Sequence, residues 1–360
     1  MRYYIITGEP SGDMHAANLA NELKKYDSNS IIRAWGGDRL IKEGVSLAKN
    51  IKEISFMGIW GVINNLSLIK SNLNYCKKDL LSFKADVLIL VDYPGFNLKI
   101  AEFAKKHRIK VFYYISPKVW AWNKSRILKI KKFVDHLLVI FPFEVEFYKK
   151  HRVEATYIGN PLLDEIKKKN YTLSIKSQKP IIALLPGSRK QEVRRVLPLM
   201  LDVIETYPKY QFVIAASNIL AKDYYKSIIK NRNVVLLYNQ TYGLLSNSVA
   251  ALVTSGTATL ETALLNVPQI VCYRTNWLTY FLAKKLVKIE YISLVNILFG
   301  EELVKELIQS RFNKKTLIMQ IDNMFLQKEK ILKGYNKISS LLNKKNASKN
   351  AAKFIIETIS

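Results

Sequence analysis

The sequence predicts an α/β protein made of two successive doubly wound halves. Three observations predict it: short apolar runs of strand length, a Gly- or Pro-marked turn after most of them, and an amphipathic stretch after each turn. Runs such as 87–91 and 137–143 are apolar throughout, as suits strands buried on both faces of a parallel sheet. Strands that alternate with helices imply βαβ units with right-handed crossovers.

Taken in order, strands are expected at 3–6, 31–35, 86–91, 111–115, 137–140 and 155–158. The turn Gly8-Glu9-Pro10-Ser11-Gly12-Asp13 leads from the first strand into a helix over about 14–25. Asp92-Tyr93-Pro94-Gly95 leads from the third into a helix ending near 106. Gly159-Asn160-Pro161 breaks the rhythm, and a polar, Lys-rich stretch over about 165–179 reads as a linker. The pattern then restarts. Strands are expected at 181–185, 212–215, 234–237, 250–253 and 269–273, a helix at 191–207, and mainly helix from about 277 onward. The expected organisation is a first Rossmann-like domain over 1–165 joined by the C-terminal helix 340–360, and a second over 166–339. Their sheets would face one another across a cleft, with ligands beyond the carboxyl ends of the strands.

Bulk properties bound the function without choosing it. The 360 residues are 49% hydrophobic and 24% charged, enough for buried cores without disulfide or metal staples. Cys76 and Cys272 stand far apart, outside any Cys/His cluster, which argues against a zinc site or a disulfide framework and fits a reducing cytoplasm. The N-terminal apolar run is too short for a signal peptide, and no apolar run reaches the roughly 18 to 20 residues that span a bilayer. The formal net charge is +27, which implies either an anionic partner or a Lys- and Asn-rich compositional bias. The lysines are scattered, and charge alone decides nothing.

Two turns in the second half suit a diphosphate. Pro186-Gly187-Ser188-Arg189 ends a strand and opens a helix. Gly187 permits close backbone approach, the helix start offers unpaired N–H groups, and Arg189 adds a forked donor. Thr254-Ser255-Gly256-Thr257 repeats the arrangement, and Glu261 lies one helical turn after Thr257. Placed there, Glu261 would accept hydrogen bonds from ribose hydroxyls or stand as a solvated helix residue. In the first half, Asp92 follows an apolar strand at its carboxyl end, where a carboxylate can take a proton from a substrate hydroxyl or simply cap its turn. His15 is the alternative base, while His107, His136 and His151 read as surface or structural. Neither G-x-G-x-x-G nor the P-loop pattern occurs, and no clustered carboxylates or histidines suggest a metal site. The stretch 56–69, with Met57, Ile59, Trp60, Val62, Ile63 and Leu66, is apolar and uncharged, and Lys70 and Lys77 follow it. It suits a lipid interface or acyl chain, or equally a core or subunit contact.

Assembled, these segments resemble the lipid-A-disaccharide synthase family over nearly the whole chain. The likeness rests on Gly8 to Asp13, Met57-Gly58-Ile59, Asp92-Tyr93-Pro94-Gly95-Phe96-Asn97, Ser116-Pro117-Lys118-Val119-Trp120-Ala121-Trp122 and Phe141-Pro142-Phe143-Glu144. Leu185 to Arg189, Ser255 to Glu261, Leu282 to Val287 and Ser293-Leu294-Val295-Asn296 complete it. The resemblance implies a GT-B fold and an inverting hexosyltransferase that needs no metal or cofactor. The implied donor is UDP-2,3-diacylglucosamine, and the implied acceptor is the 6-hydroxyl of 2,3-diacylglucosamine 1-phosphate. The products would be the lipid A disaccharide 1-phosphate and UDP. By position, Asp92 would be the base. Gly187, Ser188, Arg189, Glu192, Ser255, Gly256, Thr257, Glu261 and Asn296 would surround UDP, and Ser11 and Gly12 would line the sugar side. The resemblance also implies a homodimer through the C-terminal region and a cytoplasmic protein held peripherally at the inner membrane of a Gram-negative bacterium. Gly95 stands where the family can carry an acidic residue, leaving Asp92 the lone carboxylate of its motif. The competing readings are another GT-B enzyme or a UDP-sugar epimerase acting on a soluble sugar, and a basic nucleic-acid-binding protein. The last requires basic residues clustered with aromatics, and the scattered lysines speak for no nucleic-acid partner.

Overall fold

Among the described residues, thirteen strands form two all-parallel sheets. The computed structural model describes residues 1–53, 66–122, 125–167, 171–277, 280–281 and 290–359. The chain divides into two units, Met1–Asp164 with Lys344–Ser360, and Glu165–Asn343.

The first unit holds β1 (Arg2–Ile6), β2 (Ile31–Gly36), β3 (Ser46–Asn50), β4 (Val87–Val91), β5 (Lys110–Tyr114), β6 (His136–Val139) and β7 (Thr156–Tyr157). Their spatial order is β3-β2-β1-β4-β5-β6-β7, so the direction of winding reverses between β1 and β4. Alternation along the strands feeds two cores. Tyr4, Ile6, Leu88 and Leu90 pack with Leu73 and Leu80 of helix Leu66–Ser82 and with Ile100 and Ala101 of helix Pro94–Lys106. Tyr3, Ile5, Ile89 and Val91 pack on the opposite face with helices Pro10–Tyr26 and Ala347–Ile359. Both faces are covered, which explains the unbroken apolar runs in the strands.

The second unit repeats the plan with β8 (Ile181–Leu185), β9 (Gln211–Ala216), β10 (Val235–Tyr238), β11 (Ser248–Thr254), β12 (Gln269–Tyr273) and β13 (Glu306–Ile308). Their order is β10-β9-β8-β11-β12-β13, with the reversal between β8 and β11. Helices Lys314–Leu326 and Lys328–Leu341 follow, so the C-terminal region is helical as the sequence suggests.

Several local expectations change. The helix after β1 begins at Pro10, four residues before the expected start, so Pro10 to Asp13 form its first turn. Helices also begin at Pro94, Pro142 and Pro161. The prolines that read as turn markers are first helical residues, where a missing N–H costs nothing. The supposed linker is partly built into the fold. Glu165 belongs to helix Pro161–Lys167, Leu173 and Ile175 pack against the core of the second unit, and Ser174 N–H donates to Gln240 Oε1 at 2.7 Å. Polar composition concealed these anchors.

The chain returns to the first unit at a crowded crossing. Asp164 accepts the backbone N–H groups of Asn346 and Ala347 at 2.8 and 2.6 Å, capping helix Ala347–Ile359. Lys344 Nζ donates to Tyr157 O at 2.6 Å, and Asn350 Nδ2 to Ile158 O at 2.9 Å. Gly159 passes under this strap with φ +98°, and a Cβ there would meet Lys344 O at 2.3 Å. Gly159→Ala is therefore expected to cost at least about 2 kcal/mol from backbone strain and displacement of Lys344. Thermal unfolding of the variant checks this, and an unchanged melting temperature would contradict it.

Candidate active site

In each unit, the loops singled out by sequence leave the two strands that flank the reversal of winding. This is where an open α/β sheet forms its ligand crevice.

In the first unit those loops follow β1 and β4. Their close approach needs glycine: a Cβ on Gly8 would lie 2.4 Å from the Tyr93 ring, and one on Gly12 would lie 2.0 Å from Thr7 Oγ1. Gly12 is buried and Ser11 exposed, so Ser11 can meet a ligand while Gly12 allows the packing beneath it. Asp13 is buried and spends its carboxylate on structure. It accepts Gly37 N–H at 2.6 Å and Arg39 N–H at 3.0 Å, tying the first loop to the start of helix Asp38–Lys42.

Asp92 and Tyr93 both take positive φ, 45° and 47°, at the end of β4. Two successive left-handed residues other than glycine are a strained turn that the surroundings must hold. Two donors hold it, Tyr113 Oη at 2.6 Å and Asn97 Nδ2 at 2.7 Å, both on the Asp92 carbonyl. The Asp92 carboxylate remains accessible at its surface yet closely surrounded by protein. Lost hydration first, and then the charge of Glu9, push its pKa up to about 6 against the pull of Lys118, the Tyr93 N–H and Arg126. A carboxylate titrating there is ionised at neutral pH and is a stronger base than an ordinary aspartate. His15 is buried within helix Pro10–Tyr26, which favours the accessible Asp92 of the two.

Sequence reasoning missed four participants. Glu9 supplies a second negative charge beside Asp92, from a loop 83 positions away, although the Asp92 motif has no other carboxylate. Lys118 and Arg126 act on Asp92 from beyond β5 and from helix Ser125–Phe133. Glu144 is fully buried, accepting Ile140 N–H at 3.2 Å, Phe141 N–H at 3.1 Å and Trp120 Nε1–H at 3.2 Å. Burial pushes its pKa up to about 7 in spite of those donors and Lys118. The motifs Gly8 to Asp13, Ser116 to Trp122 and Phe141 to Glu144 contain Glu9, Lys118 and Glu144 without signalling what they act on, and Arg126 lies outside them. The sheet order creates the juxtaposition.

In the second unit, β8 and β11 are direct neighbours, with Leu185 paired to Val253. The turns 186–189 and 254–257 therefore leave one edge of the sheet side by side. Ser188, Arg189 and Thr257 are exposed there, and Gly187 has φ +99°. Glu192 folds back over the first turn. Its carboxylate accepts Arg189 N–H at 3.3 Å and pairs with the Arg189 guanidinium at 3.6 Å. Thus Glu192 sits at the helix start where a phosphate would compete with it. In the second turn, Ser255 Oγ donates to Ile292 O at 2.8 Å, and Gly256 leaves open space around its Cα. Glu261 is no solvated helix residue. Tyr242 Oη donates to it at 2.8 Å, and burial raises its pKa despite that bond.

Asn296 is fully buried and its side chain is spent. It donates to Val304 O and Glu306 Oε1 at 2.8 and 2.9 Å, and accepts Leu303 and Val304 N–H at 3.0 and 2.9 Å. These bonds brace helix Leu294–Phe299 against β13, at the motif expected to border UDP. Met57, Ile59, Trp60, Val62 and Ile63 lie outside the described residues, as does the Leu66 side chain. The segment 282–287 lies outside them too. Among the described residues, no helix is long and apolar enough to cross a membrane, and no three His, Cys, Asp or Glu side chains gather as a metal site.

Two doubly wound parallel sheets with loops at both switch points define the GT-B fold class. The fold matches a UDP-GlcNAc 2-epimerase from Neisseria meningitidis bound to UDP-GlcNAc, with a TM-score of 0.66 at 15% identity over 100% of this chain and 99% of that one. It matches the glycotransferase of kitacinnamycin with a TM-score of 0.69 at 10% identity, again over 100% and 99%. Sequence narrows the class. A family model described as lipid-A-disaccharide synthetase matches residues 3–359. A lipid-A-disaccharide synthase of Coxiella burnetii is 34% identical over 98% of this chain and 96% of its own length. The chain belongs to the lipid-A-disaccharide synthase family, and with it to the glycosyltransferases of lipid A biosynthesis.

Proposed function

We propose that the chain transfers the acylated sugar of UDP-2,3-diacylglucosamine to the 6-hydroxyl of 2,3-diacylglucosamine 1-phosphate, inverting the anomeric centre. The acceptor oxygen attacks the anomeric carbon, its proton passes to Asp92, and the bond to UDP breaks with the electron pair leaving on the diphosphate. One displacement from one face accounts for inversion. The second unit takes the nucleotide. Amides at the starts of helices Lys190–Leu201 and Thr257–Leu264, with Ser188, Arg189, Ser255 and Thr257, meet the diphosphate charge. Gly187 and Gly256 allow the backbone to approach it. Glu261, already oriented by Tyr242, takes the ribose hydroxyls, and Glu192 yields its place at the helix start to the phosphate. The first unit supplies the base, with Ser11 on the acceptor side. Helix starts and Arg189 do the electrostatic work that a metal ion does in other transferases.

The observation that carries this reading is the pairing of β8 with β11, which sets two anion-ready helix starts side by side. Both substrates carry acyl chains, so we place the protein in the cytoplasm, peripherally at the inner membrane, with the uncharged stretch 56–69 toward lipid and the C-terminal region joining a homodimer. The test is a mass-spectrometric assay in detergent micelles with a chelator present. Disaccharide and UDP should appear only when both acylated substrates are supplied. Isomerisation of the UDP-sugar without acceptor would instead favour an epimerase and sink the transfer reading. In the same assay Arg189→Ala should weaken UDP inhibition on the order of 10- to 100-fold, as expected for loss of a charge-assisted contact. Unaltered inhibition would remove Arg189 from the diphosphate site.

A further inference from the structure

The acceptor in this reaction is an anion, yet the edge of the first sheet presents two carboxylates, Asp92 and Glu9. A phosphorylated sugar brought to Asp92 would be repelled unless cations stand nearby, and the charges of Lys118 and Arg126 both reach Asp92. The segment after β5 runs beside Asp92, whose N–H donates to Ile115 O at 3.3 Å. Ser116 is pinned by Tyr148, Oγ to Oη at 2.5 Å, and Trp120 by the buried Glu144. Between these anchors Lys118 is exposed, and it makes no ion pair among the described residues. Arg126 lies on helix Ser125–Phe133, which packs against the helix following Asp92. It is half-buried, and lost hydration holds it below the ordinary arginine value although Asp92 and Tyr113 favour its charge. Both cations act on Asp92 through their charge.

We propose that Lys118 and Arg126 bind the phosphate of the sugar acceptor and so set its hydroxyl against Asp92. This rests on the transfer reading above and names its acceptor subsite. A guanidinium suits phosphate because its fork matches two oxygens, and partial burial strengthens the attraction. The ammonium adds a movable point charge from an anchored backbone. Asp92 and Glu9 then favour an acceptor whose phosphate sits at the cationic end, so the charge pattern orients the sugar as well as attracting it.

The experiment measures transfer to the phosphorylated acceptor and to the same diacylated sugar with its phosphate removed. It compares the parent protein with Lys118→Gln, Arg126→Gln, the double variant and Lys118→Arg. The parent should prefer the phosphorylated acceptor. Each neutral variant should raise KM for it on the order of 10- to 100-fold, as loss of a charge-assisted contact predicts. The double variant should bring the preference between the two acceptors close to one, and Lys118→Arg should restore most of it. A preference that survives in the double variant, or a parent that uses both acceptors equally well, overturns the assignment. A general fall in both reactions with the preference intact marks a merely structural role and overturns it too. A parent protein that transfers to neither acceptor sinks the transfer reading instead, which the control reaction reveals separately.

Discussion

Asp92→Asn should lower turnover at neutral pH by about two to four orders of magnitude while leaving the protein at least as resistant to unfolding. The first effect follows from the base role proposed for Asp92, an accessible carboxylate at the end of β4. The second follows from linkage. The folded-state pKa, about 6, lies above the ordinary aspartate value, so the folded protein holds a proton more tightly than the unfolded chain. The favourable contribution is complete below the unfolded value and is lost as pH rises to about 6. Above that, ionised Asp92 is a burden to folding that asparagine does not carry. In the parent, kcat/KM should climb as pH rises through about 6 and flatten above it, and the variant should lack that limb. Turnover within threefold of the parent would remove the base assignment. A large drop in melting temperature would show that the carboxylate is structural.

Ala351→Asp should unfold the first unit and leave the second standing. Ala351 is fully buried in helix Ala347–Ile359, within the core that includes Leu19, Leu23 and Ile89. An unpaired carboxylate there costs about 3 to 5 kcal/mol, a large part of the stability of one domain. Calorimetry should then show an early or absent transition beside a retained one, and titration with UDP should still give binding. Loss of UDP binding together with the first transition would contradict the allotment of the nucleotide to the second unit.

How far the sequence revealed this architecture depended on where each element lies. Central strands such as β4 and β8 were legible because burial on both faces demands unbroken apolar runs. The edge strands β3, Ser-Leu-Ala-Lys-Asn, and β13, three residues in a stretch expected to be helical, were not. Each pairs on one side alone and lacks the apolar signal. The placement of the loops that carry Asp92, Arg189 and Thr257 at strand ends was legible, because Gly- and Pro-rich turns follow apolar strands there. Glu9, Lys118 and Arg126 were hidden, since their meaning comes from which strands lie side by side. Asn296 was recognisable by its motif, but the scaffold bonds that use every donor and acceptor of its amide were not.

The discontinuous first unit has a consequence for biosynthesis. A ribosome delivers β1 to β7 early, but the helix that completes their core is translated only after the whole of the second unit. Until residues 347–359 emerge, the core that Ile89 of the first sheet forms with Leu19 and Leu23 of helix Pro10–Tyr26 lacks part of its cover and is open to aggregation or chaperone capture. The nascent chain therefore finishes the later unit before the earlier one, and the slowest step in its maturation should be the docking of helix Ala347–Ile359 onto the waiting first unit.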